Sequence, residues 1–259
     1  MKHVALITGA SSGIGKELAK IHAAKGGDLV LVARREKELT ELKNSLESEY
    51  KISVLVITKD LSDTSTPAEI FTETEKLGIQ VEYLVNNAGF GGHGFFHERE
   101  LEKDLAMVNV NITSLMLLTR LYLPGMVKRG TGKILNVSST ASFLPGPLQA
   151  VYYASKAFVT SFSQALAEEL KGTGVTVTAL CPGPVATEFF DTANLEGVKM
   201  LKTQKAMTPA KTAAIGYRDM MKGRLLSFDN GLLKFSLLRI VPFVPQRWVL
   251  KMSRMTMEK

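Results

Sequence analysis

Cysteine is almost missing from this 259-residue chain: Cys181 stands alone, so no internal disulfide can form. A chain without disulfides is at home in a reducing compartment, and this length can bury a core without such staples. Histidine is scarce too, with His3, His22, His93 and His97 and none beyond. His93 and His97 have the spacing of ligands on a helix, but Gly91, Gly92 and Gly94 oppose a helix and no third ligand follows. No metal is expected. No apolar run approaches the roughly 18 residues needed to cross a bilayer, so a membrane span is not expected. The N-terminal apolar run is too short for a signal-peptide core and meets a glycine-rich turn at once, so no secretory leader is expected. No Pro, Gly or Ser-rich linker, repeat or low-complexity tract divides the chain, and residues 1–259 read as one domain.

Hydrophobic residues make up 45% and charged residues 22%, ordinary globular usage. The net charge of +7 is unevenly placed. From Lys222 onward stand eight basic residues (Lys222, Arg224, Lys234, Arg239, Arg247, Lys251, Arg254, Lys259) against two acidic (Asp229, Glu258). That pattern argues against a nucleic-acid-binding body and for a basic tail with its own task.

Apolar β-branched runs at 4–8, 29–33, 53–58, 83–86, 133–137 and 175–180, with a weaker one at 224–228, alternate with segments of helical period. The helical segments fall at about 14–25, 36–49, 67–77, 100–128 and 151–171. This is the pattern of an α/β fold built from βαβ units, its parallel sheet covered on both faces. Residues 188–222 are less regular, with Thr208-Pro209 a helix-start signal, and read as an insertion over one end of the sheet that carries the substrate loop.

The first strand runs into Thr8-Gly9-Ala10-Ser11-Ser12-Gly13-Ile14-Gly15. Glycines there let backbone approach a dinucleotide pyrophosphate, and the helix that follows offers free N–H groups and a partial positive charge. Gly9, Ser11, Ser12, Gly13, Ile14 and Gly15 are therefore candidate cofactor contacts. The same stretch satisfies G-x-S-x-G, the elbow of serine hydrolases. A triad would need a histidine after its acid, and the histidines all precede mid-chain, which disfavours that rival.

An NAD site expects an acid at the end of the second strand; here stand Arg34 and Arg35, which can clamp a 2′-phosphate. NADP(H) is inferred. Asp60 and Leu61 follow the third strand, and Asn87, Ala88 and Gly89 the fourth, both at the C-terminal sheet edge where ligands bind in such folds. Pro182, Gly183, Val185 and Thr187 follow the sixth and would reach the nicotinamide end.

Tyr152 and Lys156 are four residues apart at a helix start and share a face. A nearby ammonium favours the phenolate, so the pair is a tunable acid/base whose tyrosine pKa is expected to be lowered. Ser138 and Ser139 end a strand at the same edge, where a hydroxyl can hydrogen-bond a substrate oxygen.

Taken together, residues 8–15, Asn86 to Gly89, Ser139, Tyr152 with Lys156, and Pro182-Gly183 resemble the short-chain dehydrogenase/reductase family, over about residues 3–187. The resemblance implies a single doubly wound Rossmann fold with a seven-stranded parallel sheet of order 3-2-1-4-5-6-7. It implies hydride transfer between NADP(H) and a carbonyl or secondary alcohol. It makes Tyr152 the catalytic acid/base, Lys156 the residue that holds the nicotinamide ribose and lowers the tyrosine pKa, and Ser139, with Ser138 the fallback, the group that positions the reacting oxygen. Of Asn109 and Asn111, the following Leu123-Pro124 favours Asn111 as the family's fourth catalytic residue. A homodimer or homotetramer and a cytoplasmic location are the accompanying expectations.

The family's frequent Asp-Gly-Gly near the C-terminus is missing. The chain closes instead with a basic amphipathic segment, 231–259, with Arg247, Lys251, Arg254 and Glu258 on one helical face and Trp248, Val249, Met252 and Met255 on another. That tail can pack on the body, cover the cleft, join subunits or make peripheral contact with an anionic membrane. An enzyme acting on an apolar carbonyl is the leading reading; a non-catalytic NADP(H)-binding scaffold is its rival, disfavoured because a binding module needs no proton relay.

Overall fold

The computed structural model describes residues 1–203 and 206–259; residues 204 and 205, inside the expected 188–222 region, lie outside the described residues. Seven parallel strands form one sheet in the order β3-β2-β1-β4-β5-β6-β7. They are β1 (Val4–Thr8), β2 (Leu29–Ala33), β3 (Val54–Thr58), β4 (Val81–Asn86), β5 (Gly132–Val137), β6 (Val175–Leu180) and a short β7 (Leu226–Ser227). β1 and β2 are buried at every position, which explains their unbroken apolar sequence. Strand order reverses between β1 and β4, and that switch point opens the ligand crevice.

On one face, α1 (Gly13–Ala23), α2 (Glu36–Tyr50) and α9 (Pro209–Met221) close a core around Leu18, Leu39, Leu46 and Met220. On the other, α3 (Thr66–Lys76), α5 (Leu115–Arg129) and α6 (Ala150–Glu169) pack around Ile70, Leu118, Tyr122 and Leu166. The remaining helices are α4 (Leu101–Val108), α7 (Phe189–Thr192), α8 (Lys199–Thr203), α10 (Gly231–Phe235) and α11 (Gln246–Met257).

Three expectations need correction. Residues 209–221 are not insertion but a flanking helix: Thr212, Ala213, Gly216, Tyr217 and Met220 form its buried stripe. Thr212 and Gly216 hid the apolar period; a Cβ on Gly216 would stand 2.7 Å from Leu180 Cδ2, so glycine lets the helix sit on β6. The true insertion is shorter, around α7 and α8. Second, Leu101–Arg129 is one 29-residue helical run, long and apolar enough to cross a membrane by length and composition. The helix itself was expected at about 100–128, but Asn109, Asn111, Thr113 and Ser114 interrupt any contiguous apolar run within it; its Leu118, Tyr122 and Met126 are buried in the core on that face of the sheet. Third, the two faces of the C-terminal helix divide differently. Val249, Ser253 and Met257 turn inward, while Trp248, Met252 and Met255 are exposed.

Candidate active site

The turn after β1 is shaped by its glycines. Gly9 and Gly13 have φ of +64° and +55°, and a Cβ on Gly9 would stand 2.9 Å from the Ala88 backbone. A Cβ on Gly15 would strike the Gly9 carbonyl, so glycine permits the crossing of helix and strand. Asn87 locks the neighbouring loop: its Nδ2 donates to the Thr8 carbonyl at 2.9 Å, while the Asn87 and Ala88 amides donate to Thr8 Oγ1 at 3.0 Å. Ser12 begins α1 without capping it by its side chain, leaving first-turn N–H groups for a ligand.

A cavity of about 720 Å³ runs from Arg34 and Arg35 past Gly9, Gly13, Asn87 and Gly89 to Ser139, Tyr152 and Lys156. Asp60, Leu61, Ser11, Ser12, Ile14, Ala88, Pro182, Gly183, Val185 and Thr187 also line it. Among the expected cofactor contacts, Gly15 is the one that does not line it; it stands behind the turn. A crevice with a glycine cradle, a free helix N-terminus and two guanidiniums at one end fits a phosphorylated nicotinamide dinucleotide. Arg35 reaches Ser11 Oγ at 3.2 Å and Glu188 Oε2 at 3.0 Å, and Arg34 lies 3.6 Å from Asp60.

Tyr152, Lys156 and Ser139 converge at the other end. Tyr152 is 9% exposed, and burial pushes its phenol up to about 12, with Ser139 pulling the other way. Lys156 donates to the Val137 carbonyl at 2.8 Å, and burial pushes its ammonium down to about 8. In this structure the direction is opposite to the expected lowering of the tyrosine pKa. Lys156 Nζ lies 5.9 Å from the Tyr152 ring centroid, and desolvation of the phenolate outweighs any pull at that range. At neutral pH the phenol keeps its proton.

Both serines line the cavity, but Ser138 is committed elsewhere, donating to the Lys156 carbonyl at 2.9 Å and paired with Thr160 Oγ1 at 2.6 Å, whereas Ser139 Oγ accepts from Ala141 N at 3.1 Å and can donate to a ligand. Asn109 and Asn111 separate just as clearly. Asn109 donates to Ser62 O, whereas buried Asn111 is held by Phe90 N, Phe90 O and Ser155 Oγ. The point where a Cβ on Gly89 would stand is 3.0 Å from Asn111 Oδ1 and 3.3 Å from Lys156 Nζ, so that glycine keeps the gap between them open. Asn111 sits in a π-helical turn, Asn109–Ser114, a distortion common at functional sites.

The remaining rivals lose their geometry. Ser11 Oγ accepts from Arg35, and buried His22 bonds Tyr217 Oη and the His3 carbonyl, so no described histidine attends that serine. His93 meets the Met257 carbonyl and His97 lies beside Glu98, and no cluster of three metal-ligating side chains occurs among the described residues.

The sequence model of the short chain dehydrogenase family matches residues 3–196. The chain belongs to this family. It is an oxidoreductase that binds NAD(P)(H) and transfers hydride between the nicotinamide and a carbonyl or alcohol carbon. A very-long-chain 3-oxoacyl-CoA reductase-A of Danio rerio is 35% identical over 225 residues, 85% of this chain and 69% of the relative. The short-chain dehydrogenase of Sphingobium yanoikuyae in complex with NADPH superposes with a TM-score of 0.82 at 29% identity, covering 94% of this chain and 96% of that one. A 7β-hydroxysteroid dehydrogenase gives 0.86 at 26% identity, covering 97% and 96%.

Three features of this short-chain dehydrogenase escaped sequence reasoning, and a fourth picks one of the alternatives the sequence left open for the tail, covering the cleft. Glu188 partners Arg35. The Phe189 ring lies 5.3 Å from that of Tyr152. Asp229 fixes the loop after β6 by accepting from Gly183 N and Thr212 Oγ1. The C-terminal segment lines the cavity with Leu237, Ile240, Val241, Val244, Val249 and Met257. The one available signal was the Phe189-Phe190 pair in an otherwise polar stretch.

Proposed function

We propose that residues 1–259 form one domain that reduces a carbonyl on an extended apolar substrate at the expense of NADPH. The observation that carries this reading is a buried Tyr152 beside Ser139 in the lining of a largely apolar chamber. The dinucleotide supplies hydride when bound. Arg34 and Arg35 select its 2′-phosphate, and the glycine turn with the α1 N-terminus receives its pyrophosphate. Ser139 Oγ–H donates to the carbonyl oxygen and orients it. Tyr152 Oη–H donates its proton to that oxygen as the alcohol forms. Lys156 stabilises the resulting phenolate, and Asn111 holds the opening beside Gly89 through which Lys156 is reached. The apolar chamber and the similarity to the very-long-chain 3-oxoacyl-CoA reductase-A of Danio rerio both favour a fatty-acyl ketone over a small polar one. The intact residue set argues against a scaffold role.

The same reading places the protein peripherally on a bilayer, on its cytoplasmic side. Phe243 and Trp248 are 86% and 69% exposed, and Leu232, Phe235, Met252 and Met255 are exposed beside Arg239, Arg247 and Lys251. Such a face suits anionic headgroups over acyl chains. Self-association through the outer side of α4 and α5, where Leu101, Leu105 and Met116 are exposed, supports a homo-oligomer. Consumption of NADPH against a panel of ketones of increasing chain length tests the chemistry, and no turnover anywhere overturns it. Sedimentation with phosphatidylglycerol vesicles tests the surface; recovery of all protein in the supernatant overturns that part.

A further inference from the structure

Five buried side-chain polar atoms have no hydrogen-bond partner among the described residues: Asn86 Oδ1, Gln149 Oε1, Thr176 Oγ1, Thr178 Oγ1 and Ser253 Oγ. Only Gln149 and Ser253 of these line the cavity. Both are more than nine-tenths buried, at 3% and 6% exposure. Gln149 is the residue just before α6, three residues before Tyr152, yet its side chain does not cap the helix. Its Nε2 lies 2.9 Å from Met257 Sδ, which leaves the carbonyl oxygen unanswered. Ser253 stands one turn before Met257 on the inward face of α11. It borders the Tyr153 hydroxyl, whose burial-raised pKa it tempers, without completing a hydrogen bond of ordinary geometry. The α11 end is pinned here by His93 Nε2 against the Met257 carbonyl at 2.7 Å.

An unpaired buried polar atom costs free energy that a fold normally avoids, and two that line one cavity, both beside Met257, point to a ligand that completes them. We propose that Gln149 and Ser253 form a polar subsite for a second hydrogen-bonding group of the substrate, a hydroxyl or a secondary amide, remote from the reacting carbonyl. Such a group donates to Gln149 Oε1 and accepts from the Ser253 hydroxyl. A carboxylate does not fit: it cannot donate to Gln149, and of the basic residues lining the cavity Arg34, Arg35 and Lys59 belong to the dinucleotide end and Lys156 to the Tyr152 group. The subsite rests on the carbonyl-reductase reading and adds a substrate requirement to it.

The test compares matched substrates. One pair is a 3-oxodecanoyl N-acetylcysteamine thioester, which carries an amide, against the S-alkyl thioester of equal length. The other is a long-chain hydroxyketone against its deoxy analogue. Wild type should favour the hydrogen-bonding member of one pair by about tenfold in kcat/KM, and the pair that shows it identifies the group as amide or hydroxyl. In Gln149→Leu and in Ser253→Ala that ratio should fall toward one. A wild-type ratio near one for both pairs overturns the proposal, as does a preference that survives both substitutions. If Gln149→Leu fails to fold, Ser253→Ala decides alone. Calorimetric titration with the same compounds reads the preference without turnover, so an inactive enzyme would sink the reductase reading while the subsite is still judged by binding.

Discussion

Replacing Lys156 by methionine removes a charge that the fold desolvates. The residue is 5% exposed, and burial pushes its pKa from the ordinary 10.5 down to about 8. A shift of that size disfavours the folded ammonium by roughly 3 kcal/mol. The variant also strips the Val137 carbonyl of its 2.8 Å donor, which costs about 1–2 kcal/mol. Lys156→Met should therefore be more stable than wild type at pH 7 by about 1–2 kcal/mol, a rise in Tm of roughly 3–6 °C. The sign follows from linkage. A base whose folded pKa is depressed leaves the unfolded state holding more protons between pH 8 and 10.5, so wild-type stability rises across that window and the variant's advantage shrinks. Thermal unfolding by circular dichroism at pH 7 and pH 10.5 measures it, with NADPH consumption as the control for lost catalysis. A Tm that falls equally at both pH values would show that Lys156 is a packing residue with no electrostatic penalty.

The same ammonium sets the pH profile: the reduction rate should stay level up to about pH 8 and decline above it as Lys156 loses its proton, read from kcat across pH 6–10. Arg34→Ala and Arg35→Ala should each weaken NADPH binding by about 10–100-fold and leave NADH binding nearly unchanged, measured by calorimetry. Asn111→Ala takes from the Phe90 amide and carbonyl their side-chain partner and from Ser155 Oγ one of its two hydrogen bonds, so Tm should drop by several degrees and kcat by at least about tenfold.

The sheet was legible because burial on both faces writes itself as unbroken β-branched runs, and strands β1, β2 and β6 begin and end where those runs do. The glycine turn was legible because positive φ and close backbone crossing admit few residues at Gly9, Gly13 and Gly15. What the sequence hid depends on distance in space. Glu188 lies far from Arg35 along the chain, and nothing in an isolated acidic residue marks it as the partner. The tyrosine's environment was misjudged for the same reason: helical spacing puts Tyr152 and Lys156 on one face, but only the fold reveals that both are desolvated and that the lysine turns to Val137. Amphipathic period placed the C-terminal helix but not its rotation, so Val249 was grouped with Trp248 although one is buried and the other exposed.

The central claim is that the Tyr152 phenol hands its proton to a substrate carbonyl. Single-turnover mixing of NADPH-loaded Tyr152→Phe with a long-chain ketone tests it most directly. The account predicts a rate lower by about 10²–10⁴-fold while titration still detects bound NADPH. A variant that oxidises its NADPH at the wild-type rate would contradict it.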